Sequence, residues 1–372
     1  MQLTMNQPIT VTYSKTDHID IKLDIHVPNH LSSNLCPGII FFHGGGIVTG
    51  NRECLRLQQW LLELCAREGY LFLSADYRLL YPSSGFSMIS DVKNLFTFLA
   101  SRSSSRSFLS AHLPSNVTLD TTRLVAVGES GGGYPALAAA LYAEPKPRGL
   151  LMQYCMGGQM LLDHYVAEKP AGAKSPYLDF SDHAKFEDML RRKEEVSDDP
   201  VPYMCFRKGK GGPRGGLLDL WWREGTFVDH VLGEARVSEV VRREKELCER
   251  AKLVPERLRG GLLQLEVERR GREDKMEGFP STMLVHGEAD TMVLPVESES
   301  LHHTILEGGG KSELILVPGV GHGLVDEEDF KQQKDPLETG RVAREALAKA
   351  EDWLIEILRQ EKTAEGQMDL AE

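Results

Sequence analysis

The chain has 372 residues, 41% of them hydrophobic, which is enough length and apolar content for two domains or for one α/β domain with insertions. Its 43 Lys and Arg against 55 Asp and Glu leave a formal charge of −12, which argues against a nucleic-acid binder and a polybasic membrane clamp, since both need a positive field. Charged residues at 26% are ordinary for a folded protein and exclude global disorder.

In chain order, Ile9–Lys15 and Ile19–Val27 alternate apolar and polar residues and predict an antiparallel hairpin. Pro37–His43 (PGIIFFH) is a short continuous apolar run, as expected of a strand buried on both faces. Arg52–Arg67 has helical spacing of Leu55, Leu61, Leu62 and Cys65, and Tyr70–Tyr77 is a second buried strand. Asp91–Ala100 predicts a helix, Arg123–Glu129 a strand, Gly131–Ala143 an Ala-rich helix and Gly149–Cys155 a strand. After a long gap come a strand (Thr282–His286), a helix (Pro295–Glu307), a strand (Glu313–Val317) and a closing helix (Thr339–Gln360). That helix has Val342, Ala346, Leu347, Trp353, Leu354 and Leu358 on its apolar side. The alternation predicts a mostly parallel sheet, eight-stranded, with helices on both faces.

The gap divides the chain. Residues 1–156 and 279–372 form the expected catalytic domain, and 157–278 an inserted helical cap. From Glu168 to Glu277 there are 23 positive and 23 negative side chains, so this stretch is charge-dense yet neutral. It has helical patterns at Leu217–Leu232 and Val237–Ala251, a Gly-rich stretch at Lys208–Gly216 expected to be a loop, and charges expected mainly on solvated helix faces.

Met1–Pro8 is polar with no signal-peptide pattern, and no apolar run is long enough to span a membrane. Cys36, Cys54, Cys65, Cys155, Cys205 and Cys248 show no C-x-x-C and are expected to be reduced. Cytoplasm is therefore the expected compartment.

Gly128-Glu129-Ser130-Gly131-Gly132 reads G-x-S-x-G between a strand and a helix. A strand that turns sharply into a helix exposes the serine oxygen above a helix N-terminus, and small neighbours prevent collisions. Ser130 is the expected nucleophile. His43-Gly44-Gly45-Gly46 follows the strand PGIIFFH, and here the chain resembles the α/β-hydrolase fold, more narrowly the hormone-sensitive-lipase-like esterases. The resemblance covers roughly 9–156 and 279–360 and includes Asp76-Tyr77-Arg78-Leu79, a DYRL segment, with Asp91 at the acidic start of the next helix. It implies an oxyanion hole built from two amides among Gly44, Gly45 and Gly46, plus that of Gly131, with the His43 side chain bracing the loop. The elbow here is GESGG, where that group often has Asp before and Ala after the serine, and the insertion is longer than usual for the group.

Family order then implies Asp290, on the loop after TMLVH, as the acid, with Glu288 as competitor. His322, between glycines in Pro318–Gly323, is implied as the base. The expected chemistry is hydrolysis of a small-molecule carboxylic ester or lactone through an acyl-enzyme, with no cofactor. His26 and His30 are separated by Pro28 and make no helical zinc pair, so no metal is expected. Acyl transfer, cyclisation, peptidase or amidase chemistry, and a non-catalytic ligand-binding module stay open as alternatives. Trp221–Gly233 is similar to a stretch of esterase-like hydrolases of fungal metabolite pathways, which implies secondary metabolism. Trp221, Trp222 and Phe227 lie on an apolar stripe that either packs the cap or touches the substrate.

Overall fold

The computed structural model describes residues 4–31, 33–103, 106–107, 109–177, 184–199, 213–273, 276–326, 328–329 and 340–359. Eight strands form one sheet: β1 (Ile9–Lys15), β2 (Asp20–His26), β3 (Leu35–Phe42), β4 (Leu71–Ala75), β5 (Thr118–Glu129), β6 (Gly149–Gln153), β7 (Ser281–Gly287) and β8 (Ser312–Val317). Their spatial order is β1-β2-β4-β3-β5-β6-β7-β8. The β1–β2 and β2–β4 pairs are antiparallel and all the others parallel.

Side chains alternate along the central strands. Ile39 and Phe41 of β3, with Val125 and Val127 of β5, join one core. Ile40 and Phe42, with Leu124 and Ala126, join the other. The first core is covered by α1 (Gln59–Glu68), which contributes Trp60, Leu61 and Leu64, and by the C-terminal helix Arg341–Arg359, which contributes Leu347, Trp353 and Leu354. The second is covered by α2 (Gly85–Ala100) and α3 (Gly133–Tyr142). Strands buried on both faces read as continuous apolar runs, and this is why they were visible in the sequence.

Between β6 and β7 lie α4 (Asp163–Val166), α5 (Ala184–Arg192), α6 (Gly216–Glu224), α7 (Phe227–Leu232), α8 (Val237–Val241), α9 (Leu247–Leu253), α10 (Glu256–Arg259) and α11 (Leu263–Arg272). They precede α12 (Val296–Glu307) and the C-terminal helix, α13. Helix α11 packs on α3 and α12, in the layer that covers the sheet. A parallel β6-to-β7 crossover needs such a helix, so the last helix of the 157–278 stretch serves the sheet.

Several boundaries differ from expectation. The predicted helix Leu217–Leu232 is two helices, because Gly225 adopts the left-handed conformation and ends α6. Val237–Ala251 likewise divides into α8 and α9. Helix α2 begins behind Ser84, so Asp91 is not a helix start. It is buried mid-helix, paired with Arg78 at 2.8 Å. Val342, expected on the apolar side of α13, is exposed. Most of the predicted loop Lys208–Gly216, and Cys205, lie outside the described residues, while the five described cysteines are free thiols. No helix among the described residues is long and apolar enough to cross a membrane.

Candidate active site

Strand β3 is flanked by β4 on one side and β5 on the other, so connections leave it in opposite directions. Such a switch point opens a crevice at the carboxyl ends of the strands. Both glycine-containing motifs lie there. After Glu129 the chain turns into a single helical turn, Ser130–Gly132, that continues as α3. Ser130 takes a positive φ of 49°, a region that non-glycine residues enter only when their surroundings hold them there. Gly132 passes so close to β3 that a Cβ would lie 2.0 Å from the Phe42 carbonyl oxygen. The glycine two residues after the serine is thus a steric requirement.

Three loops from distant parts of the chain meet at Ser130. His322 Nε2 lies 2.9 Å from Ser130 Oγ, and its Nδ1 lies 2.7 Å from Asp290 Oδ2. All three side chains are buried. The other Asp290 oxygen accepts from the amides of Met292 (2.9 Å) and Val293 (3.1 Å). Burial alone would raise the Asp290 carboxyl, but the charge of His322 and hydrogen bonds from His286 and His322 hold it well below the ordinary carboxylate range. Glu288, by contrast, is exposed.

The glycine loop turns back on itself. Gly45 and Gly46 have φ of 100° and 59°, and Ile47 has 60°. The Gly45 carbonyl accepts from Val48 (3.1 Å) and Thr49 (3.2 Å). In a trans peptide the Gly46 N–H points away from that carbonyl. The Gly46 nitrogen lies beside the elbow, where a Cβ on Gly131 would meet it at 2.5 Å. His43 stacks on Tyr77 with ring centroids 4.5 Å apart, and its Nδ1 lies 2.8 Å from the Gly44 carbonyl. Burial lowers its pKa to about 4, so the ring is neutral and acts as a brace.

Two features of the site were not anticipated from sequence. The Gly44 amide donates to Glu129 Oε1 at 3.2 Å, so it is already engaged. The second Glu129 oxygen accepts from Gln58 Nε2 (2.6 Å) and the Tyr154 hydroxyl (3.1 Å). The Tyr154 ring in turn meets His322 edge-on at 5.1 Å. Burial raises the Glu129 pKa, and these donors oppose it. Glu129 lies inside the elbow motif, so its residue type was a readable signal, whereas Gln58 and Tyr154 carried none. The second feature is His286, four residues before Asp290. It places Nε2 3.0 Å from the Val293 carbonyl and 3.3 Å from Asp290, and Nδ1 2.7 Å from Ser298 Oγ.

The aromatic stripe of the insertion is placed within its own packing. Trp221 stacks on His230 at 3.8 Å and meets Phe227 edge-on, and Phe227 lies against Tyr165. Trp222 sits against His164, with the Lys169 ammonium 5.1 Å from its ring centre. Leu218 of α6 reaches the glycine loop, and its Cδ atoms would lie 2.6 Å from a Cβ on Gly46. Among the described residues, no cluster of three or more His, Cys, Asp or Glu could hold a metal ion.

Comparison with known proteins bears on the fold and the family. The BD-FAE family model matches residues 23–151, the half-sheet that carries both glycine motifs. The probable carboxylesterase M8 of Phoma sp. is 33% identical over 106 residues, 28% of this chain and 32% of that protein. The non-reducing polyketide synthase ausA of Penicillium brasilianum is 24% identical over 88% of this chain but 13% of its own length. The chain thus spans about a third or less of these curated relatives. An alpha/beta hydrolase superfamily protein from Enterococcus faecalis superimposes with a TM-score of 0.58 at 17% identity, covering 95% of this chain and all of that one. At that identity the likeness concerns the fold.

Proposed function

We propose that this chain, which has the α/β-hydrolase fold and is similar to the hormone-sensitive-lipase-like esterases, is a serine hydrolase of carboxylic esters or lactones. The observation that carries this reading is the unbroken hydrogen-bond chain Ser130–His322–Asp290 at 2.9 and 2.7 Å. His322 takes the Ser130 proton as Oγ attacks the substrate carbonyl. Asp290 accepts from Nδ1–H, fixes the tautomer and stabilises the imidazolium. The negative oxygen of the tetrahedral intermediate is met by the amides of Gly45, Gly46 and Gly131, since the Gly44 amide is held by Glu129. His322 then returns the proton to the leaving alkoxide, and a water activated by the same imidazole releases the acid and frees Ser130. No step needs a metal or organic cofactor.

The insertion acts as a cap over the substrate, with Leu218 nearest the glycine loop. Trp221 and Phe227 act through packing. The likeness to M8 supports a carboxylic ester as substrate, and the likeness to the polyketide synthase ausA supports one from secondary metabolism. Because ausA matches 88% of this chain, a second reading is release of a polyketide acyl group by transfer or cyclisation, with a substrate hydroxyl or carbon nucleophile in place of water. A fluorophosphonate probe should label the wild type on Ser130 and leave Ser130→Ala unlabelled, and a panel of esters and lactones graded by acyl size should show turnover. Folded wild-type protein that takes no label would overturn the nucleophile assignment. Label without hydrolysis of any panel member would favour the transfer reading.

A further inference from the structure

The glycine loop holds three consecutive residues at positive φ, and the third, Ile47, is β-branched. That conformation is unfavourable for such a side chain and persists only where the surroundings over-determine it. Its fixing points can be followed peptide by peptide. Tyr77 donates its hydroxyl to the His43 carbonyl at 2.7 Å. The Leu80 amide donates to the Ile47 carbonyl at 2.8 Å, which sets the Ile47–Val48 peptide plane. The next carbonyl, Val48, accepts from Arg214 Nε at 2.9 Å.

Arg214 stands at the foot of α6, more than a hundred and sixty positions further along the chain. It is buried, and among the described residues the hydrogen bonds of its Nε and Nη2 go to carbonyls. Besides Val48, Nη2 donates to Leu80 (2.5 Å) and Tyr81 (2.9 Å). No carboxylate is paired with it among the described residues. Burial lowers its pKa to about 10, with Asp199 opposing, so it remains charged at neutral pH. A desolvated guanidinium bonded to backbone carbonyls is a geometric fastener: its planar fork fixes several peptide planes at once. It fixes the Val48–Thr49 peptide directly, and the Leu80 and Tyr81 carbonyls, next in the chain to the Leu80 amide that holds Ile47. Through the Val48 and Thr49 amides these contacts lead to the Gly45 carbonyl, and the plane of that carbonyl aims the Gly46 N–H.

We infer that Arg214 of the insertion is a positioning residue for the oxyanion hole, holding the strained glycine turn so that the Gly46 amide faces the reacting carbonyl. The inference rests on Ser130 being the nucleophile. It makes the insertion a working part of the catalytic centre.

The test uses the full chain. Loss of a properly aimed oxyanion donor costs turnover more than ground-state binding, so Arg214→Met should lower kcat on an aryl ester by about 10- to 100-fold with KM changed by less than about 3-fold. A trifluoromethyl ketone, which forms a tetrahedral adduct with Ser130, should lose affinity by a similar factor. A product carboxylate, which forms no adduct, should not. Arg214→Lys keeps the charge but not the fork, and should fall between the two. It also serves if Arg214→Met does not fold. A kcat within about 2-fold of wild type in Arg214→Lys and in any folded Arg214→Met, or equal losses of ketone and product binding, would overturn the inference. Those outcomes are separable from failure of the nucleophile assignment, in which wild-type protein itself would take no fluorophosphonate label and form no ketone adduct.

Discussion

The loops at the carboxyl edge of the sheet and the helices of the insertion are ordered by different means. The loops are held by backbone geometry. Gly45, Gly46, Ile47, Ser130, Tyr154 and Leu324 all sit at positive φ, and their peptide groups are fixed by named donors and acceptors. The insertion is held by side-chain packing. Trp221, Phe227, Tyr165 and His230 form one aromatic cluster, and many of its charges pair at the surface three or four residues apart. A strained turn accepts few residue types at each position, whereas a packed cluster accepts many of similar volume. The loops, and Arg214 that fastens one of them, should therefore fail in activity when altered, and the aromatic cluster of the insertion should fail in stability.

The largest expected effect sharpens the first half of that comparison. Ser130→Ala and His322→Ala should each reduce kcat on an activated ester by roughly 10⁴-fold or more, with little change in unfolding temperature. If either variant kept wild-type turnover, the hydrogen-bond chain would not be the catalytic one. Gly45→Ala comes next. Its Cβ would lie 2.1 Å from the Thr49 carbonyl oxygen at a φ of 100°. The turn must shift, and kcat should fall by about 10²- to 10³-fold, as for a lost oxyanion donor. Steady-state kinetics beside a thermal melt will separate misalignment from unfolding.

The aromatic cluster of the insertion should behave in the opposite way. Trp221 is 1% exposed. Trp221→Ala should cost about 3–5 kcal/mol of stability in urea unfolding, while the protein that remains folded keeps kcat within a few-fold. A large KM increase without destabilisation would instead place this ring against the substrate. Where the two regions join, Glu297 of α12 is fully buried and accepts from the amides of Gly157 (2.8 Å) and Gln159 (3.4 Å) and from the Tyr165 hydroxyl. Burial raises its pKa from 4.5 to about 7, although those donors oppose it. The folded state therefore keeps this proton longer than the unfolded chain does. Between the unfolded value near 4.5 and the folded value near 7, stability should fall as pH rises, by on the order of 3 kcal/mol from this group. Glu297→Gln should flatten that part of the stability–pH curve. An unaltered slope would mean that the carboxyl is ionised throughout.

The smallest effect is expected at the surface of the insertion. Arg236 and Glu239 form an exposed pair at 2.9 Å, so Arg236→Ala should change neither the melting temperature nor turnover beyond experimental error. A clear loss in either would show that the charge density of this region has a role beyond solvation.

The central strands and the three residues that meet at the elbow were legible because each rests on a local constraint or a known order. Strands buried on both faces are apolar throughout, and the turn after β5 needs glycine at 132. Asp290 and His322 were legible through their place in a known order, with Glu288 as an alternative until the structure placed it in solvent. The start of α2 lies before Asp91 because Gly85 and Phe86 carry no helical signal, and the Leu217–Leu232 pattern does not show its break because the apolar spacing continues across Gly225.

Local chemistry in this sequence thus determined the fold class, the elbow and the glycine loop, since each depends on residues adjacent in the chain. The tertiary structure alone decided which amide of the loop is already engaged, that Gln58 and Tyr154 support Glu129, that His286 stands beside the acid, and that Arg214 fastens the turn beside Gly46. Those contacts join residues that are far apart in sequence or that carry no motif. Their directions are set by how the sheet brings loop ends together, and no local preference encodes that.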